Sequence, residues 1–447
     1  MTELDEKQKQ VLEDVNKNKV KFISLQFTDL FGNVKNVTIP REELRDSFVY
    51  GTWFDGSSIE GFARICESDM LLKPDPNTYT IIPWLGSETG KTARLICDVY
   101  TTTEKPFESD PRFILKKVIE EAKKRGFIYY TGPEIEFFLL KTENGFEKLP
   151  HDVGGYFDLT LDKAYEIRSE MIKTLQELGV SAEASHHEVA SGQHEIDLKY
   201  SDALTIADEI VTLKFTLKAV AERYNCYATF MPKPFFGING SGMHIHQSLG
   251  SKEGKNLFFN GSDKYMLSEL AYNFIAGQLS HAKAMAGIVA PTVNSYKRLV
   301  PGYEAPVYIC WGSVNRSALI RIPRISKGKW YATRAELRCP DPSCNPYLAF
   351  AVMLKAGLDG IDKRMKPPEP VEGDVYKFNN NKRSKLEIET LPGSLIDAVR
   401  EMKKDSIIEE TLGSRTFQKY VNAKVKEWES FITHVTDWEI KRYLDLL

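Results

Sequence analysis

The sequence predicts a two-domain α+β protein, with a small domain over residues 1–105 and a large α/β domain over residues 106–447. Three observations predict it. At 447 residues the chain is longer than one hydrophobic core ordinarily supports. Two alternating segments, Val20–Phe27 and Val34–Ile39, flank Asp29-Leu-Phe-Gly-Asn33, which is the signature of a hairpin in a small sheet. Beyond the turn-rich stretch Thr101–Pro111, expected strands alternate with long expected helices.

A polar helix over Glu6–Asn18 precedes the hairpin, and further strands are expected at Tyr79–Pro83 and Ala93–Val99. Asp110-Pro111 opens a helix that runs to Arg125, because aspartate caps the free N–H groups and proline suits the first helical position. Helices follow at Leu161–Leu178, Ser201–Arg223, Tyr265–Ala286 and Asn345–Lys363, then in three pieces after Gly393. Strands are expected at Ile128–Leu140, Val180–Ser185, His194–Leu198, Tyr227–Phe230 and Met243–Ser248. Met365–Lys385, rich in Lys, Pro and Asn, reads as an exposed loop.

Composition narrows the function. The 59 basic and 62 acidic residues leave a net charge of −3, so neither nucleic acid nor an anionic membrane is expected as the main partner. The first ten residues are polar and acidic, unlike a signal peptide. The most apolar long segment, Ala271–Pro291, contains Asn273, Gln278, His281 and Lys283, so a buried helix is expected there and not a membrane span. Six scattered cysteines fit no zinc spacing, and free thiols in the cytoplasm are expected.

The chemistry concentrates in a few segments. In Lys233–Ser248 three glycines (Gly237, Gly240, Gly242) permit close backbone approach, and the alternation that follows puts His244 and His246 on one strand face. Glu134 and Glu136 share a face of an apolar strand, Glu188 and Glu195 flank Gly192, and Glu336 lies between Arg334 and Arg338. Each piece alone has an ordinary explanation, such as core histidines, a solvated strand face or a surface ladder of ion pairs.

Convergence would change that reading. Carboxylates about 4 Å apart repel by about 4 kcal/mol at an effective dielectric of about 20, so such a cluster raises its own pKa values or binds cations. Carboxylates with one imidazole and no thiolate favour Mg²⁺ or Mn²⁺, and a metal pair suits phosphoryl transfer from a nucleotide. Arg298, Arg316, Arg321, Arg334 and Arg338 form a local excess of guanidinium groups, suited to phosphate and carboxylate ligands.

Several ordered motifs resemble those of the type I glutamine synthetases over essentially the whole chain. They are Phe54-Asp-Gly-Ser-Ser58 followed by Glu67-Ser-Asp-Met70, the Lys233–Ser248 stretch, Asn294–Pro306, Asn315-Arg-Ser317 and Asn345-Pro-Tyr347. The short segment around Met365–Lys385 resembles the alpha-like subtype. The resemblance implies a β-grasp-like N-terminal domain and a catalytic domain with a curved antiparallel sheet. It implies that ATP phosphorylates the γ-carboxylate of L-glutamate, and that ammonia then displaces phosphate to give glutamine.

By position, the resemblance assigns Glu136, Glu188 and Glu195 to one metal and Glu134, His244 and Glu336 to a second, with two or three Mg²⁺ or Mn²⁺ per site. Arg298, Asn239 and Gly240 would hold the amino-acid substrate, Arg338 the reacting carboxylate and phosphate, and Arg316 the γ-phosphate. Tyr200, His246, Ser248, Arg321 and Arg334 fall at nucleotide-contacting positions. Asp55 would take the ammonium proton, and Glu304 would close over the acyl phosphate as a flap that excludes water.

In the family Asp55 reaches a neighbouring subunit's site, which implies a dodecamer of two hexameric rings. Arg64 occupies the position linked to glutamine feedback, and the resemblance admits a nitrogen-regulatory protein as partner. The stretch Ser326–Thr333 is longer than the family pattern, which leaves open whether Lys327, Lys329 or neither meets the nucleotide. Tyr376 falls near the position modified in the longer subtype, in different surroundings, and no modification is expected.

Overall fold

Asp5 accepts a hydrogen bond from the Gln8 backbone, and the Gln8 side chain accepts one from Asp5, so the first helix starts on a reciprocal cap and runs over Glu6–Lys17. The structure, a computed structural model, describes residues 4–57, 59, 69–87, 90–143 and 147–447. The first helix buries Val11 and Val15 against a sheet of six strands. These are β1 (Val20–Thr28), β2 (Val34–Pro40), β3 (Thr52–Asp55), β4 (Asp69–Pro74), β5 (Thr80–Ser87) and β6 (Gly90–Thr101). Their order is β2-β1-β6-β4-β3, with β5 also on β6. The expected hairpin is β1–β2, closed by the Asp29 carboxylate, which accepts from the backbone N–H groups of Phe31 and Asn33.

The larger sheet contains β7 (Ile128–Glu143), β8 (Glu147–Pro150), β9 (Ala182–His187), β10 (Gln193–Leu198), β11 (Ser201–Asp202), β12 (Cys226–Thr229), β13 (Met243–Gly250), β14 (Tyr308–Gly312), β15 (Ala318–Arg321), β16 (Ala335–Leu337) and β17 (Glu389–Thr390). It runs β17-β14-β15-β16-β13-β7-β10-β9, with β8, β11 and β12 also pairing with β7. Its pairs are antiparallel except β14–β15. The strand period of two divides its residues sharply. Ile135, Phe137, Ile196, Met243, Ile245 and Leu337 are buried in the main core with helices Pro111–Lys124, Ala203–Arg223, Glu269–Ser280 and Pro346–Asp362. Alternate positions on the same strands carry the acidic and imidazole groups.

Several expected elements differ in detail. The helix expected over Tyr265–Ala286 is two, Glu269–Ser280 and Ala282–Val289, broken at His281. Side-chain anchoring accompanies the break, since His281 Nδ1 is 2.7 Å from Asp405 and Nε2 is 3.1 Å from Asp359. Four helices follow Gly393, not three, because Thr436 and Glu439 form a second reciprocal cap that starts Asp437–Tyr443. Met365–Lys385 is not a plain exposed loop. Val371 and Val375 are buried, and Asn379 caps a short helix, Asn380–Lys385. The five cysteines among the described residues are buried and free, and Cys66 lies outside them. No helix among the described residues is long and apolar enough to cross a membrane.

His281 gives a pH prediction. Burial opposes its charged form, but the hydrogen bonds that His281 donates to Asp405 and Asp359 prevail and raise its pKa above 6.5. A raised folded-state pKa contributes stability that is complete below the unfolded value of about 6.5 and is lost as pH rises through the folded value. The thermal midpoint of the wild type should therefore exceed that of His281→Gln most in mildly acidic buffer, and the gap should narrow above neutrality. A gap independent of pH would refute the charged-histidine assignment.

Candidate active site

Strand register builds the site. Antiparallel pairing sets Glu195 opposite Glu136 and Asp197 opposite Glu134, while His244 lies opposite Glu134 from the other side. The next strand sets Glu336 opposite His246, and Arg321 pairs with Glu336 from β15. Five short sequence segments thus meet on one sheet face. Strands β7, β10, β13 and β15 line a cavity of about 300 Å³ with Glu188, Asn239, Gly240, Arg298, Glu304, Arg316 and Arg338, and Glu336 of β16 is buried beside it, 3.9 Å from His244.

The electrostatics call for added positive charge. Burial and the neighbouring Glu136 push Glu188 up to about 8 and Glu195 up to about 11. Burial and Glu134 push Asp197 up to about 7. Glu134 goes the other way. Burial opposes its ionisation, but His244 at 3.2 Å and His246 at 2.6 Å hold it well below the usual carboxylate range. Two donor sets, Glu134–His244–Glu336 and His186–Glu188–Glu195, each bring their ligand atoms within 4.8 Å. Oxygen and imidazole donors whose carboxylates repel one another when ionised, so that Glu188 and Glu195 keep protons unless a cation replaces them, fit hard divalent cations. Glu136 lies beside both sets. Its Oε2 accepts from Gln193 Nε2 and from the Gly242 N–H, both at 2.9 Å, and its Oε1 is 3.9 Å from His244.

Of the three glycines in the loop after β12, Gly237 has a left-handed backbone and open space around it, whereas Gly240 and Gly242 are required by contact. A side-chain carbon on Gly240 would lie 2.2 Å from the Pro232 carbonyl, and one on Gly242 would lie 2.5 Å from the Arg298 guanidinium. Arg298 is held in turn by the carbonyls of Cys339 (2.9 Å) and Arg338 (3.1 Å). Glu336 is fully buried and ion-paired to Arg338 at 2.6 Å and to Arg321.

Tyr200, His246, Ser248 and Arg334 line a second, smaller recess with Tyr130 and Tyr331. His246 joins the two spaces, since Nε2 faces Glu134 while Nδ1 accepts from Arg334 Nε at 3.2 Å.

Behind the glutamates lies a fully internal group, Asp152, His187 and His194. It does not read as a metal site. Arg168 donates to His194 Nδ1 at 3.1 Å, which leaves the proton on Nε2, and His187 is hydrogen-bonded at both nitrogens, to Asp152 (2.9 Å) and to the Glu188 carbonyl (2.7 Å). The group instead fixes the turn between Glu188 and Glu195, since Asp152 also accepts from the Gly192 N–H.

Asp55 lines neither the cavity nor the recess of its own chain. Asp55 ends β3 on the first sheet, exposed, with its carboxylate accepting from the Ser57 N–H and held below the usual range by the Ser57 side chain and backbone. Arg64 lies outside the described residues. Conversely, sequence reasoning passed over Tyr156, His186, Gln193, Asp197 and Tyr303, which all line the cavity. Asp197 could have been found, because it shares the strand face of Glu195 by the period of two. Tyr156 and Tyr303 lie in loops, which carry no such signal.

Comparison with known proteins matches this geometry to one family. The family model described as glutamine synthetase, catalytic domain, matches residues 108–443, and that described as glutamine synthetase, beta-Grasp domain, matches residues 19–102. A glutamine synthetase of Thermotoga maritima is 51% identical over 98% of this chain and 99% of its own. One of Methanocaldococcus jannaschii is 52% identical over 97% of both. A solved structure described as "GmaS/ADP complex-Conformation 1" is 34% identical, with a TM-score of 0.88 over 97% of this chain and 99% of its own. The expected fold, a β-grasp N-terminal domain before a catalytic domain with a largely antiparallel sheet, is the one found. With both domain models matched in order and relatives about half identical along nearly the whole length, the chain belongs to the glutamine synthetase family.

Proposed function

We propose that the cavity between β7, β10, β13 and β16 is where this chain carries out its reaction. As a member of the family the chain catalyses ATP-dependent synthesis of glutamine from glutamate and ammonia. The observation that supports this location is the strand register, which gathers remote glutamates around His244 and opposite Arg298, Arg316 and Arg338.

Glu136, Glu188 and Glu195 would hold one Mg²⁺ or Mn²⁺, with His186 in reach of the same set, and Glu134, His244 and Glu336 a second. Bound metal supplies charge neutralisation for the transferred phosphoryl group. Arg298 binds the α-carboxylate of glutamate beside Asn239 and Gly240, fixed in place by its two carbonyl contacts. Arg338 orients the γ-carboxylate for attack on the ATP γ-phosphate, and Arg316 meets the developing charge. Tyr200, Ser248, Arg321, Arg334 and His246 hold the nucleotide, whose base enters the second recess. Glu304, on the rim, keeps water from γ-glutamyl phosphate.

Asp55, which does not line its own chain's cavity, serves a neighbouring copy and accepts the ammonium proton. That placement underlies a proposed dodecamer of two hexameric rings, cytoplasmic, with Arg64 as a feedback residue and a nitrogen-regulatory protein as partner. The division near residue 105 separates the shared N-terminal domain from the catalytic one.

Purified protein given glutamate, ammonium, ATP and Mg²⁺ should yield glutamine and phosphate, with native mass spectrometry showing twelve copies. Mixing Asp55→Asn with Arg298→Ala chains should restore part of the activity that each lacks alone. No complementation would refute the shared site.

A further inference from the structure

Glu304 sits in a loop between helix Ser295–Arg298 and β14, on the rim of the cavity. Its backbone is left-handed, with φ +60°, which a residue with a side chain keeps only where its surroundings fix it. Side chains from two other segments grip the loop on either side. Lys233 Nζ lies 3.7 Å from the centre of the Tyr303 ring and donates to the carbonyl of Ile238, next to Asn239 and Gly240. On the other side the Tyr376 hydroxyl donates to the carbonyl of Ala305. Tyr376 packs edge-on against Tyr308 with ring centres 5.8 Å apart, and Arg383 donates to the Tyr308 hydroxyl while lying 4.9 Å from that ring. Both neighbours of Glu304 are therefore held, one by a cation on a ring and one by a hydrogen bond.

We propose that Lys233 and Tyr376 are positioning residues that clasp the Glu304 loop and so set how the acyl phosphate divides between ammonia and water. The inference rests on the cavity being the site of glutamine synthesis. In the productive step the ammonia nitrogen attacks the acyl carbon, the carbon–oxygen bond to phosphate breaks, phosphate leaves and one proton is released. With the loop loosened, water attacks the same carbon. The same bond breaks, phosphate leaves, and the acid so formed ionises to regenerate glutamate. Nothing is oxidised or reduced, and the only loss is the ATP already spent.

The test measures phosphate released per glutamine formed, with Mg²⁺, ATP and glutamate saturating and ammonium limiting. Wild type should stay near parity. Tyr376→Phe, which keeps the ring against Tyr308 and removes only the hydroxyl, should raise the excess of phosphate over glutamine about fivefold, the typical weight of one hydrogen bond. Lys233→Met should move it the same way from the opposite side of the loop, so the question stays open to test even if one variant folds poorly. A ratio at parity in both variants overturns the inference, and so does a lower turnover with the ratio unchanged, because a merely structural role would do that. A wild type that forms no glutamine overturns the functional reading and this inference with it.

Discussion

Replacing Glu336 by alanine should lower stability and metal binding together, with activity falling more than about 100-fold, the scale for losing a preorganised charge at a reacting centre. Its carboxylate is fully buried, lies 2.6 Å from Arg338 and 3.9 Å from His244, and pairs with Arg321. Burial opposes its ionisation, but His246, Arg338, His244 and Arg321 prevail and hold it below the usual carboxylate range. Removing one partner of a buried ion pair costs about 3–5 kcal/mol, because the remaining charges are left uncompensated. Glu336→Gln keeps the volume without the charge, so it should recover part of the packing and little of the metal affinity. Thermal denaturation and Mn²⁺ titration of the two variants would check this. A variant that binds Mn²⁺ like the wild type would show that the cluster is structural.

Arg112→Ala should be the most destabilising change away from the cavity. Arg112 opens a helix of the larger domain, yet its guanidinium reaches Asp75, just after β4, and Asp98 of β6, both at 2.8 Å, and Asp208 at 2.9 Å. The Asp208 carboxylate also accepts from the Tyr347 hydroxyl at 2.6 Å. Loss of the guanidinium leaves carboxylates facing one another at a buried contact, again about 3–5 kcal/mol. The expected signature is an early unfolding step of the first sheet, seen by hydrogen exchange in β1 and β6 before the catalytic sheet opens. Unchanged exchange in those strands would sink the prediction.

Much of this was legible in the sequence for reasons that hold residue by residue. The period of two in Gly132–Phe137 and Met243–Ser248 told which side chains share a face, and no tertiary information was needed for that. Caps did the same for helix starts, as at Asp110-Pro111, where the helix begins at Pro111. The motifs that resemble glutamine synthetases named the family before any coordinate was known. Short elements were less legible. Strands β14–β17 span two to five residues each, too few for periodicity to register. The helix break at His281 goes with contacts to Asp359 and Asp405, which lie far along the chain.

The sequence by itself determined the inventory: carboxylates, imidazoles and arginines in segments of known period, and two domains to carry them. Only the tertiary structure decided the pairing. Register set Glu195 against Glu136 and His246 against Glu336, because a one-residue slip would turn every one of those side chains to the opposite face. It also decided which loop residues join them, since Tyr156, Tyr303 and Tyr376 reach their partners only after the strands have closed. Local preference can write a strand face, but the distance between two faces is set by packing.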